Sequence, residues 1–181
     1  MNKRLSIVAP MVFACLFFTA CIRDTDFEQT ENIVLTPVVE LDLIYFTLRG
    51  TDFYDTINSQ PIPTLRDTTL IKFLNDSTLH ESLKRAEFYF RFSNSIPRSF
   101  VVDFQFLGET NDTTYVAQTS VAQGSPAQPT LTEFIENVEG DDILQLTKAN
   151  KIVVSVTIPS SHENLEGVLN LKSKTTYFLE Y

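Results

Sequence analysis

"AEFYFRFSNS", residues 86–95, is the stretch that decides the fold. Ala86, Phe88, Phe90 and Phe92 alternate with Glu87, Tyr89, Arg91 and Ser93, apolar against polar at a period of two. Successive side chains of a strand point to opposite faces, so this pattern specifies a β-strand with one buried and one wet face. "SFVVDFQFLG", residues 99–108, repeats it with Phe100, Val102, Phe104 and Phe106 inward. "NSIPRS" between them carries the Asn, Ser and Pro of a turn. The two strands with their turn read as a hairpin.

Working outward, the same logic yields further strands. Residues 36–48, "TPVVELDLIYFTL", align Val39, Leu41, Leu43 and Tyr45 on one face. Strand patterns recur at 68–74, at 113–121 and at 151–159, where a β-branched run is closed by Pro159. The segment 130–138 fits a strand or a helix equally well. Residues 167–181 align Leu169, Leu171, Thr175, Tyr177, Leu179 and Tyr181, and are expected to end inside the sheet. One short helix is expected over 142–149, capped by Asp141, with Ile143 and Leu146 sharing a face and Lys148 in the last turn. Many short strands separated by turn signals predict a mainly β domain, an antiparallel two-sheet β-sandwich with one short helix. Its architecture resembles an immunoglobulin-like domain, without the tryptophan or disulfide common there.

The N-terminus has a different character. Asn2-Lys3-Arg4 is basic, Leu5 to Phe18 is apolar, and Thr19-Ala20 ends the run with small residues, the three parts of an export signal. The run is short for a spanning helix, and Pro10 interrupts it. After Cys21 the chain becomes polar, "IRDTDFEQTEN", without strand alternation. The expected organisation is a signal peptide at 1–20, a lipidated cysteine with an acidic tether at 21–32, and a single β-sandwich domain at 33–181.

Charge excludes several partners. Of 181 residues, 14 are Lys or Arg and 23 Asp or Glu, a formal −9 that falls to −11 once Lys3 and Arg4 leave with the leader. Phosphate backbones and anionic headgroups need clustered cations, so no nucleic acid is expected and no electrostatic hold on a bilayer. With Cys15 removed and Cys21 acylated, the folded part has no thiol, hence no disulfide, thiolate nucleophile or cysteine metal site.

Phe18-Thr19-Ala20-Cys21 resembles the lipobox of bacterial lipoproteins, with Phe18 where the family prefers Leu, Val or Ile. The rival Val12-Phe13-Ala14-Cys15 is followed by Leu-Phe-Phe, still apolar, whereas Cys21 is followed by the polar tether. The resemblance therefore implies attachment to the lipid bilayer through acylated Cys21; more than one acyl chain is needed for stable anchoring. Leader, acidic chain and Phe-rich strands together resemble small lipoproteins of Bacteroidetes. That places the chain in the cell envelope, in the outer membrane, facing either the surface or the periplasm. Asp55-Thr56, Asp67-Thr68, Asp76-Ser77 and Asp112-Thr113, each followed by an apolar or hydroxyl residue, resemble the O-glycosylation acceptor of that phylum. The resemblance implies modification at Thr56, Thr68, Ser77 and Thr113; the same residues also suit turns on physical grounds.

No catalytic constellation emerges. His80 and His162 sit in unrelated turn-like segments and the five glycines are scattered. "ENVEGDDIL", residues 136–144, lacks the ligand spacing of a calcium loop, so neither metal nor cofactor is expected. Tyr89 and Tyr115, joined by Phe46 and Phe178, fall on the wet face in this register and form a candidate ligand platform. The expected function is a non-catalytic interaction or structural module that meets an envelope protein or a glycan. The alternatives are a glycan-binding accessory of a nutrient-uptake system and a carboxylate-dependent hydrolase, whose two acids would stand roughly 5–10 Å apart.

Overall fold

The structure is a computed structural model and describes residues 34–71, 73 and 77–181. The leader, Cys15, Cys21 and the whole tether at 21–32 lie outside the described residues. A compact unit spans Leu35–Tyr181. In chain order it comprises β1 (Val38–Arg49), a 3-10 turn (Gly50–Phe53), β2 (Tyr54–Asp55), β3 (Gln60–Pro61), β4 (Thr64–Leu70), α1 (Ser77–Ser82), β5 (Leu83–Asn94), β6 (Phe100–Leu107), β7 (Thr113–Val121), β8 (Thr130–Glu139), α2 (Asp141–Leu146), β9 (Lys151–Thr157) and β10 (Val168–Leu179). The mainly β, antiparallel two-sheet sandwich is as the alternation requires. The ambiguous segment at 130–138 is strand, and the strand expected over 68–74 runs earlier because its ladder with β9 begins at Thr64↔Thr157 and ends at Leu70↔Lys151.

The two large sheets have the orders β1-β10-β5-β8 and β4-β9-β6-β7; β2 and β3 form a separate small ribbon. Every neighbouring pair in the large sheets is antiparallel. Four pairs are nested: β1 with β10, β4 with β9, β5 with β8, β6 with β7. Such nesting is a long hairpin rolled up on itself, the jelly-roll arrangement. The sandwich expectation thus holds while the immunoglobulin-like strand order is corrected.

The expected hairpin over 86–108 is also corrected. β5 and β6 belong to different sheets, so the segment between them is an arch across the sandwich. Asn94 explains the crossing. Fully buried, it donates through Nδ2 to the carbonyls of Arg98 and Ala122 at 2.8 Å each, and its Oδ1 accepts from Ile96 N–H at 2.8 Å. These bonds satisfy backbone groups that leave the ladder at the turn. The two phenylalanine rows then face each other instead of lying side by side. Phe90 stacks on Phe104 with centroids 4.0 Å apart, and Phe88 meets Phe106 at 5.1 Å. Phe88, Phe90, Phe92, Phe100, Phe104 and Phe106 are all fully buried. Each such burial is worth about 1.5–3 kcal/mol before ordering entropy is charged against it.

Two local departures position the outer surface. In β1 the register slips between Asp42 and Tyr45, a bulge opposite Ser173. The buried Ser173 hydroxyl accepts from Ile44 N–H at 2.9 Å and donates to the Ile44 carbonyl at 2.8 Å, filling the gap in the ladder. Inserting one residue reverses the alternation beyond it: Ile44 is buried, Phe46 and Leu48 pack on the core, and Tyr45 turns outward. The second departure is at α2, where Gly140 at φ +61° precedes the helix and Asp141 is its first residue, so Asp141 is not the cap. Ile143 and Leu146 are buried from α2 as expected.

Candidate functional site

The outer face of the β1-β10-β5-β8 sheet brings the chain's polar alternation to one surface. Its registers align two rows of residues across the strands. One runs Tyr45, Lys172, Arg91, Glu133; the next runs Asp42, Lys174, Tyr89, Ile135. Asp42, Tyr45, Tyr89, Arg91, Lys172, Ser173 and Lys174 line a shallow depression of about 230 Å³. Tyr45 is 53% exposed, and Tyr89 is half-buried.

Both phenols are fixed. Tyr45 O–H donates to Asp42 Oδ1, and Tyr89 O–H donates to Glu133 Oε1 at 2.6 Å. Each bond pushes its tyrosine upward from the usual phenol range, because the neighbouring carboxylate favours the protonated ring. Lys174 binds Glu40 at 2.6 Å, which raises the ammonium. Arg91 stands 3.8 Å from Glu133, a loose and half-exposed pair. Lys172, between Tyr45 and Arg91, has no ion pair or side-chain hydrogen bond among the described residues. The depression therefore offers ring faces, fixed carboxylate acceptors and uncommitted positive charge.

Tyr89 lies where the alternation predicts it, but its expected companions do not join it. Tyr115 is on the inward side of β7, edge-on to Phe106 at a centroid distance of 5.8 Å. Its hydroxyl donates to Glu136, and burial first, then that bond, pushes the phenol well above its usual range. It therefore closes one flank of the sandwich where β7 and β8 meet, and the platform expectation is corrected for it. Phe46 is turned inward by the bulge. Phe178 is on the outer face but covered, with the Arg85 guanidinium 3.6 Å above its ring. Tyr45 is the residue that sequence reasoning missed. Unbroken alternation assigns it inward, and only the bulge sends it out.

The remaining sequence candidates are dispersed. Thr56, Thr68 and Thr113 are exposed on the β2–β3 turn, on β4 and at the start of β7. Asp55 accepts from Asn58 Nδ2 at 2.6 Å, from Asn58 N–H at 3.1 Å and from Ile57 N–H at 2.9 Å, an Asx turn in which the Asn58 side chain does most to hold the carboxyl below its usual range. Thr110 likewise binds Asp112 and lowers it. Ser77 begins α1. Cys21 lies outside the described residues. Among the described residues no cluster of His, Cys, Asp or Glu could hold a metal ion, and no helix is long and apolar enough to cross a membrane. A larger recess of about 390 Å³ lies between Arg49–Thr51 and Glu163–Val168, but it contains no aromatic ring.

Fold and site together define a jelly-roll sandwich carrying an amphoteric, tyrosine-bearing sheet face. No family model matches the chain, and no curated protein matches it by sequence. Solved structures resemble it weakly. A protein assigned as secreted from Parabacteroides distasonis superposes with a TM-score of 0.48 at 11% identity, over 63% of this chain and 37% of that one. The infectious bursal disease virus Gx strain gives 0.45 at 9% identity, over 81% and 32%. An enzymatically active domain of the bacteriophage CBA120 tailspike protein 4 gives 0.39 at 11%, over 80% and 20%. The chain thus spans about a third or less of these proteins' length, and such scores carry no argument about function.

Proposed function

We propose that this protein is a lipid-anchored, non-catalytic binding module of the bacterial envelope, held by acylated Cys21 in the outer membrane and presenting the outer face of the β1-β10-β5-β8 sheet. The observation that carries the binding role is the depression at Tyr45 and Tyr89, one exposed and one half-buried phenol ring on the sheet with hydrogen-bonding groups between them. A planar apolar surface flanked by polar groups suits a glycan, whose ring faces are apolar and whose edges carry hydroxyls. The lipobox-like leader supports the anchor.

The test uses the full chain purified from membranes in mild detergent, on an array of soluble polysaccharides. The parent is expected to bind at least one glycan, and the double variant Tyr45→Ala/Tyr89→Ala to lose that binding by about 10-fold or more, since each stacked ring contributes on the order of 1 kcal/mol. Binding unaffected by the double variant would overturn the assignment of the face. In the same preparation Cys21→Ala should leave the membrane fraction and stop incorporating labelled palmitate; retention would overturn the anchor.

A further inference from the structure

The charge pattern of the depression selects a subclass of glycan. The chain as a whole is acidic, at a formal −9. Yet the outer face of this sheet gathers Arg91, Lys172 and Lys174 on adjacent strands. Lys174 is committed to Glu40 and Arg91 loosely to Glu133, whereas Lys172, the central member, is without an ionic or hydrogen-bonding partner among the described residues. Tyr45 and Tyr89 flank it, from β1 on one side and β5 on the other. Tyr89 lies one row further along the strands, opposite Lys174, so the two tyrosines are two strand spacings and two residues of rise apart, roughly 12 Å on the diagonal, a span on the scale of two successive sugar rings. Lys172, opposite Tyr45, and Lys174, opposite Tyr89, thus lie on the strand between the two rings, and Lys172 is the one left to meet a substituent at the junction of two stacked sugars.

We infer that the ligand is an anionic saccharide, a polymer of uronic-acid type, whose rings lie along Tyr45 and Tyr89 and whose carboxylate is taken by Lys172 with Arg91 behind it. This rests on the glycan reading above and deepens it. The complementarity has three parts. The ligand's carboxylate neutralises the uncommitted ammonium through a charge-assisted hydrogen bond. Its hydroxyls donate to Asp42 and Glu133, which are oriented by Tyr45 and Tyr89. Its apolar ring faces cover the phenols. An acidic peptide would satisfy the cation but brings neither apolar ring faces for Tyr45 and Tyr89 nor a row of hydroxyls to donate to Asp42 and Glu133, so the saccharide fits better.

The probe is polygalacturonate, with its fully methyl-esterified form as the uncharged counterpart, titrated against the full chain in detergent by calorimetry. The parent should bind the acid form at least about 10-fold more tightly than the ester, a difference of the size of one charge-assisted contact. Lys172→Gln should weaken binding of the acid form by about 10-fold and so remove most of that preference. Raising salt from 0.15 to about 1 M should weaken the acid form only, because the screening length falls to roughly 3 Å. Lys172 is exposed, so the variant folds, and an unchanged circular dichroism spectrum confirms it. Equal binding of acid and ester, both lost with Tyr45→Ala/Tyr89→Ala, would overturn the charge inference and leave the glycan face standing. Preference for polyglutamate over polygalacturonate, independent of the tyrosines, would overturn the saccharide. Binding of no polysaccharide at all would overturn this inference and the glycan reading together.

Discussion

Tyr177 shows how a single side chain records the cost of the core. It is fully buried, stacked on Phe73 at 4.4 Å, and its hydroxyl and that of Thr175 lack a partner of good geometry. Burial pushes the phenol up to about 12, against a smaller opposing effect of the Thr175 hydroxyl. An orphaned hydroxyl is a desolvation cost without return, so Tyr177→Phe is expected to leave stability unchanged or raise it by up to about 1 kcal/mol. The sign of the pH dependence follows from the raised value. The folded state holds the proton more tightly than the unfolded one, so this contribution is complete below about pH 10 and is lost as pH rises towards 12. Urea melts at pH 9 and pH 11 should therefore show a steeper loss for the parent than for Tyr177→Phe, and equal losses would contradict the assignment.

Among elements, the bulged strand β1 matters most, because it decides what the outer face displays. Ser173 satisfies both backbone groups of Ile44 from the neighbouring strand. Ser173→Ala would leave two buried backbone groups unpaired, a loss of about 2–4 kcal/mol. A urea midpoint shift much below that would show that water or a register change restores the bonds. This element also marks where the sequence ceases to be readable. Period-two alternation located β5, β6, β7, β9 and β10 and most of their buried residues, because each strand's faces are set by its own residues. It placed Tyr45 inward and Phe46 outward because a bulge is fixed by a partner 129 positions away, at Ser173. The same reason explains the arch. Turn residues at 94–99 announce a reversal, but whether the returning strand pairs in the same sheet or crosses to the other is decided by Asn94 reaching Ala122, a contact that no local pattern contains. Tyr89 is legible as a surface aromatic; Tyr45, which lines the same depression, is not, and Tyr115 reads outward because its strand starts near a turn with weak alternation.

Across the whole molecule the nested pairing produces two sheets whose inner faces are occupied by stacked aromatics. The surfaces open to a ligand are therefore the outer faces and the ends. Of these, the β1-β10-β5-β8 face combines the exposed Tyr45 and half-buried Tyr89 rings with uncommitted positive charge on an otherwise acidic chain. The most direct measurement of that claim is amide chemical-shift mapping of the isotope-labelled full chain titrated with a short oligogalacturonate. The account predicts perturbations centred on Tyr45, Tyr89, Arg91 and Lys172, with β4, β6, β7 and β9 unchanged. Perturbations centred on the opposite sheet, on the Glu163–Val168 loop, or nowhere would contradict it.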